Sequence, residues 1–309
     1  METEVGCDIS MDWIDVCVLE PPRHFRVANK PKPVERLARE LPPGSRIGME
    51  ATGTMHQLLA DTMCAAGHTV YELNPRWVHR YAGGVGARGK SDRGDAMVIA
   101  RYVHAEGAHL HPYRSPTPQQ REIRTLLHRR AQVMKLKTAS RQSLGDQANE
   151  VVQKFMQLVK DIDRRIATLL GADPQWKGLA AKLRRIPGVG PLVAAHLVEA
   201  LARRPFEAVA AFIAYTGMDP RPNDSGRKKG IRRLTHHGDA HLRAALFMGA
   251  MAACKVARWR ALYEHNRHKG LPSTAAFIVV ARKLARVAFC LFKTGQDYDP
   301  ERIGGVAPT

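Results

Sequence analysis

Nowhere in the 309-residue sequence do about 18 apolar residues run together, which excludes a membrane-spanning helix. Cysteine is sparse as well. Cys7, Cys17, Cys64, Cys254 and Cys290 lie far apart without a C-x-x-C pair, so neither a zinc knuckle nor a disulfide framework is indicated, and a reducing cytoplasm is the expected compartment. The opening Met1-Glu2-Thr3-Glu4 lacks the basic start of a secretory signal and passes straight into a strand pattern. A nucleotide-cofactor loop is missing too: the glycine-rich stretch 83–89 follows no strand and lacks the Walker spacing, so it reads as a loop rather than a phosphate cradle. From 119 to 173 there is no proline and, before Gly171, no glycine except Gly145. That stretch is a long helix or two helices bent near Gly145, with apolar residues recurring at Ile123, Leu126, Leu127 and Val133 and again from Val151 to Leu169.

Charge is abundant but unevenly placed. The chain carries 48 Lys and Arg against 29 Asp and Glu, a net +19. Residues 1–112 hold 13 basic against 14 acidic side chains, whereas residues 113–309 hold 35 against 15. The whole excess lies in the second part, as expected where the first part does metal chemistry and the second holds a polyanion; nucleic acid fits it better than a membrane.

Short strands are expected at 5–10, 13–19 and 24–28, followed by a helix through Val34, Leu37 and Leu41, a strand at 47–50, a helix at 55–66, a strand at 69–73 and a helix from about Asp92. In a ribonuclease H-like sheet this order makes neighbours of the strands bearing Asp8 and Glu50. Asp8 interrupts the apolar run Val5-Gly6-Cys7-Asp8-Ile9, and a carboxylate in such a strand needs a metal or a cation to offset its desolvation. Asp92 and Asp95 stand three apart and share a helix face. Together the four acids have the look of a metal cage, although Asp92 and Asp95 also suit a helix cap and the first turn behind it.

Further on, Ile186-Pro187-Gly188-Val189-Gly190-Pro191 lies between two helical stretches. It reads as a helix-hairpin-helix, in which Gly188 and Gly190 bring backbone N–H groups to a phosphate, or as a plain inter-helix turn. The polar stretch 221–230 places Ser225 before Gly226, with Arg227, Lys228, Lys229, Arg232 and Arg233 following as candidate nucleic-acid contacts. A serine there is a nucleophile beside a phosphate or an ordinary turn residue.

The ordered set Gly6-Cys7-Asp8-Ile9-Ser10, Glu50-Ala51-Thr52-Gly53, Lys90-Ser91-Asp92-Arg93-Gly94-Asp95-Ala96, Ile186 to Gly190, Ser225-Gly226 and His237-Gly238-Asp239-Ala240-His241-Leu242-Arg243 resembles the DEDD-type insertion-sequence transposases, recombinases guided by a bridge or seeker RNA. The resemblance implies three parts: an α/β ribonuclease H-like (RuvC-like) domain over 1–112, an all-α coiled coil over 113–175, and a mainly helical transposase domain with a helix-hairpin-helix and a serine loop over 176–309. It implies that Asp8, Glu50, Asp92 and Asp95 hold Mg²⁺ or Mn²⁺ and that Ser225 forms a phosphoserine link to DNA. The implied partners are DNA at the element ends and target, a non-coding guide RNA and further copies of the chain as a dimer or tetramer, in the nucleoid of a prokaryotic cytoplasm. Met11 and the pair His236-His237 depart from the lysine and the Lys-Arg common in that family. A RuvC-like nuclease using water, or a non-catalytic RNA- or DNA-binding protein, would use parts of the same sequence.

Overall fold

The computed structural model describes residues 3–51, 53–85, 92–221 and 233–301, in two compact units, Met1–Ser115 and Pro116–Thr309. In the first unit the elements run β1 (Glu4–Ile9), β2 (Trp13–Val18), β3 (Arg23–Ala28), α1 (Pro31–Glu40), β4 (Arg46–Glu50), α2 (Gln57–Ala65), β5 (Thr69–Leu73), α3 (Pro75–Gly84) and α4 (Asp92–Glu106). Short turns join β1, β2 and β3 into an antiparallel meander, while the helical crossovers through α1 and α2 return β4 and β5 parallel to β1. The resulting order β3-β2-β1-β4-β5 is that of a ribonuclease H-like sheet.

Strand alternation gives the sheet two different faces. Val5, Cys7, Ile14, Val16, Ile47, Met49 and Val70 form a dry face against Val34 and Leu37 of α1 and Leu59 and Met63 of α2. The opposite face receives α4, whose Val98, Ile99 and Val103 pack with Tyr71 and Leu73 of β5. Asn74-Pro75 marks the end of a strand in the sequence; in the structure it also starts α3. The Asn74 side chain accepts from the Arg76 N–H, and proline takes a first-turn position where no N–H is needed.

The second unit is helical: α5 (Pro118–Leu144), α6 (Asn149–Ala172), α7 (Pro174–Leu183), α8 (Pro191–Arg203), α9 (Val209–Thr216), a ribbon of β6 (Pro220–Arg221) and β7 (Arg233–Leu234), then α10 (Ala240–Ala253), α11 (Ala257–His268) and α12 (Ser273–Thr294). A capping box of Thr117 and Gln120 opens α5, and Gly145, at φ 56°, turns the chain into α6. The long helical segment is therefore a hairpin. Ion pairs Arg130–Asp163 at 2.6 Å and Arg165–Glu122 at 2.8 Å, with the Gln119 amide donating to the Leu169 carbonyl, set its antiparallel register.

The α6 stripe Val159, Ile162, Ile166 and Leu169 is buried in the same core as Leu183, Leu197, Phe212 and Leu284. The segments 113–175 and 176–309, separate in the sequence reading, thus share one unit, because a single helix pair cannot bury its own stripe and the helices behind it do so. No described helix is long and apolar enough to cross a membrane.

Candidate active site and nucleic-acid interface

Two glycines decide where the first unit's acids go. Gly6 and Gly48 are register partners on β1 and β4, and both open onto α4. A Cβ on Gly6 would stand 2.0 Å from the Ala96 carbonyl oxygen and 2.4 Å from the Ala100 nitrogen; one on Gly48 would stand 2.4 Å from a Val103 methyl. Helix and sheet are therefore in backbone contact at Gly6. Two residues further along each strand, on the same face by strand period, come Asp8 and Glu50, adjacent because Cys7 pairs with Met49.

The direction of α4 follows from its other end. His104 Nδ1 lies 3.6 Å from a Glu4 carboxylate oxygen, so α4 runs antiparallel to β1 and its first turn, with Asp92 and Asp95, faces the end of β1 that bears Asp8. Asp8, Glu50 and Asp95 are all partly exposed, as residues at a site open to substrate must be. The Asp92 backbone begins α4, but its side chain lies outside the described residues. Among the described residues no three His, Cys, Asp or Glu side chains converge closely enough to hold a metal ion. The donor set itself fits a hard divalent cation, being all carboxylate oxygen.

A fifth acid escapes the sequence reading. Asp15 of β2 is the register partner of Asp8, on the same face, and only 7% exposed. Arg26 of β3, its own register partner, binds it from 2.8 Å, leaving a paired carboxylate beside the candidate metal ligands. The signal was present in Trp13-Ile14-Asp15-Val16-Cys17-Val18, where Asp15 occupies the polar phase of an alternating strand. Arg93, at the start of α4, is close enough to that face to help burial lower the His24 pKa, which adds positive charge near the acids.

In the second unit, Ser225, Arg227, Lys228, Lys229 and Arg232 lie outside the described residues. The strand pair that flanks them in the chain is described. Arg221 pairs with Arg233 and Pro220 with Leu234; the Thr235 N–H donates to the Asp219 carbonyl at 3.1 Å. The motif from His237 to Arg243 holds this strand pair in place. Gly238 must lack a side chain, since a Cβ would come within 1.9 Å of the Tyr215 carbonyl oxygen. Asp239 caps α10 by accepting from the His241 and Leu242 N–H groups, and the Arg243 guanidinium donates to the Thr216 carbonyl at 3.1 Å.

Behind the strand pair is a buried polar cluster that the sequence reading also missed. Glu199 and His196 of α8 are 6% and 8% exposed. Burial first, then the Asp239 charge, pushes the Glu199 carboxyl up to about 8, with Arg204 opposing; burial pulls His196 down to about 4. Both are thus neutral near pH 7. The His128 and His241 rings lie 4.4 Å apart beside them. Glu199 in the apolar Leu197-Val198-Glu199-Ala200-Leu201 was the available signal.

At the turn between α7 and α8, Gly188 has φ 82° and sits so close to α10 that a Cβ would lie 2.2 Å from the Gly249 carbonyl oxygen. Glycine there is a packing requirement. Gly190 is exposed with open space around it, and it precedes the α8 N-terminus. Arg184, Arg185 and Met248 line the open depression around the turn.

One unit holds a carboxylate-bearing ribonuclease H-like sheet, and the other is a basic helical assembly. Two family models cover most of the chain in the same order: a DEDD model of the IS110 type, described as a transposase, matches residues 5–152, and the model described as the transposase IS116/IS110/IS902 family matches residues 180–264. The chain belongs to this transposase family and is a DNA transposase or recombinase.

Among its relatives is the pilin gene-inverting protein of Moraxella bovis, 25% identical over 264 residues and 81% of each chain. A probable family 20 transposase of Pseudomonas aeruginosa is 25% identical over 340 residues, 96% of this chain and 99% of the relative. Of the solved structures, T. thermophilus RuvC in complex with a Holliday junction substrate covers 36% of this chain and 99% of its own at 15% identity, with a TM-score of 0.28. That likeness is too slight to build on, and the assignment of the first unit rests on its strand order.

Proposed function

We propose that this transposase cuts and rejoins DNA at the ends of its element through a phosphoserine link made by Ser225, on a phosphate held at the carboxylates Asp8, Glu50, Asp92 and Asp95, with a non-coding RNA choosing the site. The observation that carries the reading is the paired opening of Gly6 and Gly48 onto α4, which sets Asp8 and Glu50 side by side beneath the helix turn bearing Asp92 and Asp95. Those carboxylates would hold Mg²⁺ or Mn²⁺, which when bound supplies charge stabilisation to the phosphate.

In the cleavage step the Ser225 Oγ–P bond forms and the P–O3′ bond breaks; the serine proton leaves Oγ and the departing strand ends as a 3′-hydroxyl. Rejoining reverses these changes with another 3′-hydroxyl, so the ester conserves the bond and no nucleotide cofactor is called for. Arg227, Lys228, Lys229, Arg232 and Arg233 supply cationic partners for the surrounding phosphates, and Gly190 presents the α8 N-terminus to the backbone while Gly188 holds the helix-hairpin-helix turn.

What the hairpin leaves uncovered supports self-assembly. Leu136 of α5 and Leu158 of α6 are 56% and 47% exposed, and the register that pairs Arg130 with Asp163 sets them at a similar level of the hairpin. Their stripe would join copies as a coiled coil, giving a dimer or tetramer in which the serine of one chain can meet the acids of another.

The test is a denaturing gel of a labelled element-end duplex incubated with the full chain and its co-purifying RNA. Ser225→Ala and Asp92→Asn should each abolish the protease-sensitive shifted band, and mixing them should restore part of it. A wild-type band from Ser225→Ala would refute the nucleophile; cut but unshifted DNA from the wild type would favour water in its place.

A further inference from the structure

The turn between β1 and β2 carries an indole that packing does not account for. Of the four tryptophans, Trp259 is buried and Trp77 and Trp176 are half-buried, whereas Trp13 is 48% exposed, close to Met11 at 77%. The register partner of Trp13 on β3 is Ala28, and across the turn on the β1 side it meets Ser10. Neither is large enough to cover a ring. The backbone beneath the indole is nonetheless firmly held. The Ser10 N–H and hydroxyl both donate to the Trp13 carbonyl at 2.9 Å, and the Trp13 N–H donates to the Ser10 Oγ at 3.1 Å. From β3's end the Asn29 side-chain amide donates to the Ser10 carbonyl at 3.0 Å, and the Asn29 N–H donates to the Asp12 carbonyl at 2.8 Å. A ring presented on a braced turn has little freedom left to lose when something stacks on it.

Strand register brings this ring to the acids. Trp13 is two residues from Asp15 on β2 and so shares its face, and Asp15 is the register partner of Asp8. Trp13 is therefore the diagonal neighbour of Asp8, a relation that spans about 7–8 Å in an antiparallel pair and lies within reach of an aromatic side chain. The surrounding charge suits a polyanion. Residues 21–34 carry Arg23, Arg26, Lys30 and Lys32 without one acid, although residues 1–112 as a whole hold 13 basic against 14 acidic side chains. Arg26 is on the face of Asp15, and Lys30 and Lys32 are exposed just beyond the strand that ends at Ala28. A single open ring among cations, without a broad apolar patch, fits a base of a nucleic-acid strand better than it fits a protein surface.

We propose that Trp13 stacks on an unpaired base of the DNA strand whose phosphate lies at Asp8 and Glu50, and so holds that strand single beside the carboxylates. The inference rests on the reading that these acids take a DNA phosphate, and it is independent of which group attacks that phosphate. It gives the exposed indole a duty and makes the β1–β2 turn part of the substrate channel.

The test uses the full-length chain with its co-purifying RNA and follows single-turnover cutting, in Mg²⁺, of element-end duplexes that carry one abasic nucleotide at each position in turn. On the intact duplex at subsaturating protein, Trp13→Ala and Trp13→Leu should each slow cutting roughly tenfold, and Trp13→Phe should keep most of the wild-type rate, because stacking needs a ring rather than apolar bulk. At one position beside the cut, removal of the base should bring the wild type down to the rate of Trp13→Ala. A gap that persists at every abasic position, or wild-type speed from Trp13→Ala on the intact duplex, overturns the proposal. A persistent gap together with a lower yield of co-purifying RNA would give the ring to the guide, which also overturns it. Should Trp13→Ala lower the melting midpoint, the scan is made with Trp13→Leu against Trp13→Phe, and a gap at every position again overturns it. Asp8→Asn, run in parallel, separates the two ideas: cutting by that variant sinks the carboxylate reading, while its loss of cutting beside an unbroken gap across the abasic set sinks only the tryptophan.

Discussion

Replacing Gly6 with alanine adds one methyl group in a strand that readily accepts alanine, yet it should cost this enzyme its activity. The new Cβ would lie 2.0 Å from the Ala96 carbonyl oxygen and 2.4 Å from the Ala100 nitrogen, where ordinary contact begins at 3.4 Å. Both obstacles are backbone, so no side chain can rotate away, and α4 must retreat from β1 by about 1.4 Å. Overpacking of this kind costs roughly 1–3 kcal/mol, and a retreat of about 1 Å by the helix bearing Asp92 and Asp95 is enough to lose about a hundredfold in rate. Gly67→Ala is the control: it meets nothing within 4 Å and carries only the strain of φ 85°. Urea melts of both variants, with the element-end gel assay, measure stability and rate separately. Gly6→Ala should lose more rate than its stability loss explains, whereas Gly67→Ala should lose stability alone. Wild-type rate from a folded Gly6→Ala protein would refute the placement of α4 and with it the shared site.

Further outcomes follow from the helical unit. The Glu199 carboxyl is raised to about 8 from an ordinary 4.5, so the folded chain keeps a proton that the unfolded chain releases, and stability should fall as pH rises between those values. Glu199→Gln should abolish that alkaline slope and melt above the wild type at pH 9 by at least about 4 °C; parallel slopes would show Glu199 to be ordinary. His196 has the opposite sign: with its pKa pulled to about 4, its contribution is lost as pH falls below the ordinary 6.5. On the hairpin, Ile162→Asp places a charge in the core and should destabilise by about 3–5 kcal/mol, whereas Leu136→Asp with Leu158→Asp should leave the melting midpoint and lower the mass seen by light scattering. An unchanged mass would place the assembly surface elsewhere.

Local pattern alone was enough to read the strand order, the helical stretch broken at Gly145 and the basic second part, because strand and helix periods, glycine at a turn and charge runs are properties of neighbouring residues. Tertiary packing decided the rest. Whether the stripe of Ile162 and Ile166 faces another copy or its own chain depends on the helices that cover it, and these lie both before and after it in the chain. The pairing of Asp15 with Asp8 needs the register of β1 on β2, and the burial of Glu199 and His196 needs α8 to sit among α9, α10 and α5. The glycines show the division most plainly. Gly188 belongs to a motif whose letters suggest a phosphate cradle, but its position against the α10 backbone gives it a packing duty that no spacing in the sequence announces, since a missing side chain leaves no trace of what has come to rest against it.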